Sequence, residues 1–216
     1  MSRRIHPLAS VIAAVARGIS GVQVRWLGCR PDVKQRIYFA NHTSHLDFVV
    51  LWSALPGEVR ARTRPVAAKD YWDSGMRAYL AQNVFRAVLV QRGARANTPE
   101  EARAEAAAVI DRLAEAMGET ESLIFFPEGT RGTGETMAPF RGGLYYLAKK
   151  RPDVELVPVY LENLYRILPK GEVLPVPLVS LLTFGEPMHL KDAEEKRDFL
   201  ERAGAAVSAL RRKGQS

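Results

Sequence analysis

"RIYFANHTSHLD", Arg36 to Asp47, decides how this chain is read: five residues of strand character run into a polar turn, and the turn opens a stretch of helical character. The same grammar returns at "SLIFFPEGTRGTG", Ser122 to Gly134, where another apolar run ends in a polar, glycine-containing turn. Outward from these two stretches, strand-like runs occur at "VQVRWLG", "RPVAA", "AVLVQR", "VELVPVYL" and "LVSLLTFG". Between them, helix-like stretches fall at Ser44 to Leu55, Ser74 to Gln82, Thr98 to Met117, Gly143 to Lys150 and Asp192 to Arg212. The helix after Thr98 is the clearest. It has a threonine cap, Pro99 in its first turn, Glu101 in capping-box position, an apolar face through Ala102, Ala106, Val109, Ile110, Leu113 and Met117, and Gly118 to stop it. Strands separated by helices predict an α/β fold, a single domain with a largely parallel central sheet flanked by helices. In such sheets ligands gather at the carboxyl ends of the strands, where both polar turns lie.

Composition bounds the partners. The 216 residues and 47% apolar content suit one domain with a sizeable core. The formal charge of +7 fits an anionic membrane, a phosphorylated ligand or nucleic acid equally well. No recognition helix or aromatic RNA motif accompanies that charge, so nucleic acid is not expected as a partner. The single cysteine, Cys29, forms no internal disulfide and supplies no zinc framework, which favours a reducing, cytosolic setting.

Residues 1–30 read as a basic amphipathic element. Leu8, Val11, Ile12, Val15, Ile19 and Val22 recur at helical spacing, and the first 31 residues carry five arginines and no acid. The uncharged run from Ile5 to Ala16 is shorter than the roughly 20 apolar residues a spanning helix needs. Docking on a membrane surface, packing on the domain and a cleaved signal are the three readings of this element. No clear boundary separates it from residues 31–216.

Ser44 and Asp47 have the spacing of a capping box, so the carboxylate is explained by amide donors at a helix start alone. That leaves His42 unexplained. A turn can fold His42 back over the helix start, where Asp47 holds one ring nitrogen and leaves the other as a base. His42, His45 and Asp47 also form a metal-like cluster, the basis of a metal-dependent hydrolase alternative, although His6 and His189 are the only other histidines and neither belongs to a second cluster. No G-x-S-x-G elbow is present. Gly129 and Gly134 have the separation of a phosphate loop, but Glu135 stands where its lysine belongs. Arg131 offers a forked guanidinium suited to a phosphate, with Glu128 as its partner or as an acceptor for a hydroxyl.

Together, "NHTSHLD" and "FPEGTR", Phe126 to Arg131, resemble the 1-acylglycerol-3-phosphate acyltransferase (lysophosphatidic acid acyltransferase) family, whose blocks are N-H-x-S-x-x-D and F-P-E-G-T-R. "FRGG", Phe140 to Gly143, and "VPVY", Val157 to Tyr160, resemble later segments of that pattern. The second block, G-x-x-F-I-x-R, falls on Arg86 to Arg92, with Arg86 replacing the glycine and Leu89 the aromatic. The resemblance covers roughly residues 37–160.

It implies an acyltransferase that moves a fatty acyl group from acyl-coenzyme A or acyl carrier protein to a lysophospholipid, with 1-acylglycerol 3-phosphate giving phosphatidic acid. Another lysophospholipid or glycerol 3-phosphate remains an alternative acceptor. By the same resemblance His42 is the general base and Asp47 its orienting partner. Glu128 and Gly129 hold the glycerol portion, Thr130 belongs to the same substrate-binding block, Arg131 and Arg92 bind the phosphate, and Lys69 is a further phosphate candidate. Neither metal nor cofactor is required, and the enzyme sits as a peripheral or monotopic protein on the cytoplasmic face of a membrane.

Overall fold

The computed structural model describes residues 7–44, 46–91, 98–132, 136–164 and 180–211. Helix α1 (Pro7–Ser20) precedes strand β1 (Gln23–Trp26) and strand β2 (Arg36–Ala40). Then come α2 (Asp47–Ala54), α3 (Gly57–Ala61), β3 (Thr63–Ala68), α4 (Lys69–Trp72) and α5 (Gly75–Tyr79). A π-helical turn (Leu80–Val84) leads to β4 (Val88–Val90), followed by α6 (Pro99–Met117), β5 (Ser122–Phe125) and α7 (Gly143–Lys150). Strands β6 (Glu155–Glu162) and β7 (Leu181–Phe184) and helix α8 (Lys196–Ala209) complete the order.

The seven strands form one sheet in the order β1-β7-β6-β2-β5-β3-β4. All pairings are parallel except β6 with β7. This is the largely parallel α/β sheet flanked by helices that the sequence predicts. Strand β2 is buried at all five positions because helices cover both faces of the sheet. Its side chains alternate between two clusters. Tyr38 and Ala40 pack with Ala9, Ala13, Leu51 and Trp52 beneath α1 and α2, whereas Ile37 and Phe39 pack with Leu113, Met117, Leu144 and Phe199 beneath α6, α7 and α8.

The register positions the site. Phe39 pairs with Phe125, so the turns after β2 and β5 leave the sheet side by side. Asn41 then clamps the exit of β2 to β6: its Nδ2 donates to the Leu161 carbonyl at 3.0 Å and its Oδ1 accepts from the Leu161 N–H at 2.8 Å. Those two bonds satisfy a buried amide and explain why an asparagine stands at this strand end.

Helix α6 forms as the sequence predicts, with Thr98 Oγ1 accepting from Glu101 N–H at 3.2 Å and Gly118 closing it at φ +47°. Other elements start later or are shorter than the periodicity suggests. Helix α2 begins at Asp47 because residues 43 and 44 donate their amides to a side chain instead of entering the helix. Helix α8 begins at Lys196 after Ala193, whose φ of +55° is incompatible with a continuing helix. The stretch predicted as helix from Ser74 to Gln82 is the short α5 running into the π-helical turn. Among the described residues no helix is long and apolar enough to cross a membrane.

Candidate active site

The polar turn after β2 is organised around one carboxylate. Asp47 is fully buried, and its Oδ2 accepts hydrogen bonds from Thr43 N–H at 2.5 Å, Ser44 N–H at 2.8 Å and the His42 ring at Nδ1, 2.9 Å away. Capping and orientation are thus one arrangement. The backbone donors fold residues 42–44 over the start of α2, and that fold carries the imidazole onto the same oxygen. A carboxylate only accepts, so Nδ1 carries the ring proton and Nε2 is left with a lone pair. Phe126 stacks on the imidazole with centroids 4.4 Å apart and planes 23° apart, which fixes the plane of the ring.

The second turn holds the first from beneath. Glu128 is 2% exposed, and its two carboxylate oxygens accept from His42 N–H at 2.7 Å and from Ala138 N–H at 2.9 Å. The His42 carbonyl accepts from Gly132 N–H at 2.8 Å, so both backbone groups of His42 are bonded to the turn after β5. Burial raises the Glu128 pKa above the ordinary carboxylate value, and the two amide donors oppose that shift in part. Gly129, at φ +71°, turns the chain where an added Cβ would stand 3.0 Å from Arg141 Cδ. Arg141 is therefore laid against the FPEGTR turn.

A groove of about 1100 Å³ opens at these turns. His42, Gly129, Thr130 and Arg141 line its polar end, and Val66, Val90, Ile110, Leu113 and Phe125 line an apolar stretch between the sheet and α6. Tyr71 and Trp72 of α4 form part of its rim. The groove thus brings a histidine and an arginine into one lining with an apolar stretch, and Arg103, Asp111, Lys150 and Lys196 line it as well.

The residues singled out from the sequence are placed as follows. His42, Asp47, Glu128, Gly129 and Thr130 come together, although Glu128 spends both oxygens on backbone amides. Arg131 is half-buried in the same turn but does not line the groove, and Lys69 is exposed at the start of α4. Arg92 and His45 lie outside the described residues. Among the described residues no three metal-ligating side chains converge. Arg141 and Phe126 have no role assigned from the sequence; the signal for Arg141 is its place in "FRGG", just ahead of α7.

Strand β4 leaves a left-handed residue at its entry, since Arg86 has φ +52°. Glycine takes that conformation freely, and the resembled family pattern has glycine there. Here the arginine is held by bonds to the Ala61 carbonyl at 2.9 Å and to Glu121 at 2.7 Å, which offset the backbone strain.

The fold has a counterpart among solved structures, and the sequence has curated relatives. The chain is similar in fold to the crystal structure of the 1-acyl-sn-glycerophosphate (LPA) acyltransferase PlsC from Thermotoga maritima, with a TM-score of 0.68 and 20% identity over 97% of this chain and 80% of that one. It is 30% identical over 175 residues to a 1-acyl-sn-glycerol-3-phosphate acyltransferase from Limnanthes douglasii, covering 78% of this chain and 56% of the relative. With the human 1-acyl-sn-glycerol-3-phosphate acyltransferase alpha it shares 26% identity over 146 residues, 66% of this chain and 46% of the relative. The chain thus spans about half the length of the curated relatives it matches. The family model described as Acyltransferase matches residues 22–162, a span that contains both turns, the register that joins them and most of the groove, and the chain belongs to that family.

Proposed function

We propose that this protein transfers a fatty acyl group from an acyl thioester to the free hydroxyl of 1-acylglycerol 3-phosphate, giving phosphatidic acid and a free thiol. The observation that carries the reading is the His42–Asp47 pair, 2.9 Å apart, at the polar end of an apolar groove. In this mechanism the His42 Nε2 lone pair takes the acceptor hydroxyl proton as that oxygen attacks the thioester carbonyl. Asp47 stabilises the imidazolium that forms. Collapse of the tetrahedral intermediate breaks the carbon–sulfur bond, and the departing thiolate takes the proton from His42. Base catalysis of this kind contributes on the order of 10^2 to 10^4 in rate.

Arg131 and Arg141, with Arg92, bind the acceptor phosphate, Thr130 lies beside the glycerol portion, and Lys69 is a more distant phosphate contact. Glu128 is a positioning residue: it bonds the His42 backbone and leaves the glycerol to its neighbours. The apolar stretch of the groove receives an acyl chain. The exposed face of α1, which carries Val11, Val15 and Ile19 with Arg17 and no acid, rests on the cytoplasmic surface of an anionic bilayer. A basic interfacial enzyme of this kind meets a lipid acceptor from the membrane and an anionic donor, acyl-coenzyme A or acyl carrier protein, from solution.

The test is a transfer assay with purified protein, offering both donors against 1-acylglycerol 3-phosphate, other lysophospholipids and glycerol 3-phosphate. Preferred turnover of 1-acylglycerol 3-phosphate with equimolar thiol release supports the reading. Thiol release without an acylated product, or transfer only to another acceptor, overturns it.

A further inference from the structure

The segment after α4 carries an exposure that the groove does not explain. Met76 is 73% exposed and Tyr79 46% exposed, on the short helix α5 that begins at Gly75. Neither residue lines the groove, yet the segment is continuous with Tyr71 and Trp72, which do. Its root is rigid: Trp72 packs edge-on against Phe48 at 5.3 Å and against Phe85 at 6.1 Å. Met76 and Tyr79 are therefore held outward from a fixed base.

Helix α5 belongs to the same side of the sheet as α1. Ala9 and Ala13 of α1, Trp52 of α2, Val84 of the π-helical turn and Trp72 of α4 share one apolar cluster, opposite the cluster under α6, α7 and α8. Exposed apolar side chains thus stand on two elements of this side, Val11, Val15 and Ile19 on α1 and Met76 and Tyr79 on α5. Cations accompany them. Arg60 lies over the Trp52 ring at 5.3 Å and Arg77 over the Tyr71 ring at 4.7 Å. Burial first, and then the charge of Arg17, hold the Arg60 guanidinium below its ordinary pKa. Around α4 and α5, Lys69 and Arg77 are balanced by Asp70 and Asp73, so apolar insertion rather than charge holds this segment, while Arg17, exposed on α1, supplies the attraction.

We infer that α5 is a second bilayer contact, in which Met76 enters the acyl region of an anionic membrane and Tyr79 sits at the level of the headgroups, beside the rim of the groove. The inference rests on the interfacial reading of α1 and extends it. Two contacts on one side of the sheet fix the orientation of the enzyme, and the second sets Tyr71 and Trp72 at the membrane surface, giving a lipid acceptor a short path into the groove. Tyrosine at the headgroup level and a flexible apolar side chain beneath it are the composition expected of such a contact.

The test uses the full chain with Cys29→Ser and one new cysteine, Val11→Cys, Met76→Cys or Val33→Cys, each labelled with a polarity-sensitive fluorophore. Val33 is exposed ahead of β2, at the opposite end of the sheet. Vesicles of equal parts phosphatidylcholine and phosphatidylglycerol are the probe. A blue shift at positions 11 and 76, with none at 33, is expected. A shift at 11 without one at 76 overturns the inference and leaves the α1 reading intact, whereas no shift at either overturns both. A shift at 76 caused by acyl carrier protein and not by vesicles also overturns it, assigning the patch to the donor. In parallel, Met76→Asp is expected to lower turnover of a vesicle-embedded acceptor about tenfold, as loss of one buried apolar side chain does to partitioning, with turnover of a water-soluble short-chain acceptor unchanged. Equal losses on both acceptors would contradict a membrane role.

Discussion

Replacing Asp47 by asparagine separates the two jobs of its carboxylate. Oδ2 accepts from the backbone of Thr43 and Ser44 and from the His42 ring, while Oδ1 accepts nothing among the described residues. An asparagine oxygen can take the place of Oδ2 and keep all three donors, with its amide nitrogen in the place of Oδ1. The turn should survive, and the variant should unfold within about 1 kcal/mol of wild type. What disappears is the negative charge. Two unit charges about 4 Å apart interact by about 4 kcal/mol at an effective dielectric near 20, and that attraction exists only once His42 has become an imidazolium. The loss should fall on kcat by about 10^3, with acceptor KM little changed. Asp47→Ala, by contrast, strips an acceptor from two amides and a ring, at about 1–3 kcal/mol for each donor left buried, and should lower stability and activity together. The assay is steady-state transfer by both variants beside their thermal unfolding. The reasoning is refuted if Asp47→Asn keeps kcat within about threefold of wild type, or if it loses as much stability as the alanine variant.

Other changes probe the frame around the pair. Asn41→Ala removes both bonds to Leu161 and should destabilise by about 2–4 kcal/mol, read as a melting temperature lower by several degrees with His42 still competent; an unchanged melting temperature would contradict the clamp. Gly129→Ala forces a side chain into a left-handed residue, at about 1–2 kcal/mol, and pushes on Arg141, so acceptor KM should rise more than kcat falls, and an unaltered KM would remove Arg141 from the phosphate site. Glu128→Gln should change the pH dependence of unfolding. Because burial raises the Glu128 pKa in the folded chain, its contribution is present below the ordinary carboxylate pKa and is lost as pH rises through the raised value. The stability of wild type relative to Glu128→Gln should therefore fall across that window and level off above it, and a difference that grows with pH would reverse the assignment.

The alternation of apolar runs and capped helices made the sheet legible, because each buried strand needs an apolar run and each helix a start signal. The site was legible in part for the same reason: both motifs sit at strand ends, and the Phe39–Phe125 register makes them neighbours. The sequence left open whether Asp47 faces a ring or the backbone, since one oxygen that serves both leaves the same spacing as a plain capping box. Glu128 read as a substrate contact because nothing in a linear sequence shows that the amides of His42 and Ala138 occupy it. The antiparallel entry of β7, the π-helical turn and the left-handed Arg86 follow from tertiary contacts and were not written in periodicity. Arg86 is instructive: it stands where the family pattern has glycine, and the structure shows a strained residue held by Ala61 and Glu121.

The central claim is that His42 is the base of an acyl transfer assembled by the two turns. Its most direct test is the rate at which purified His42→Gln protein converts 1-acylglycerol 3-phosphate and an acyl thioester to phosphatidic acid, measured beside wild type with folding checked by circular dichroism. A folded variant slower by at least about 10^2 is the predicted result. Near-wild-type turnover by that variant would contradict the account.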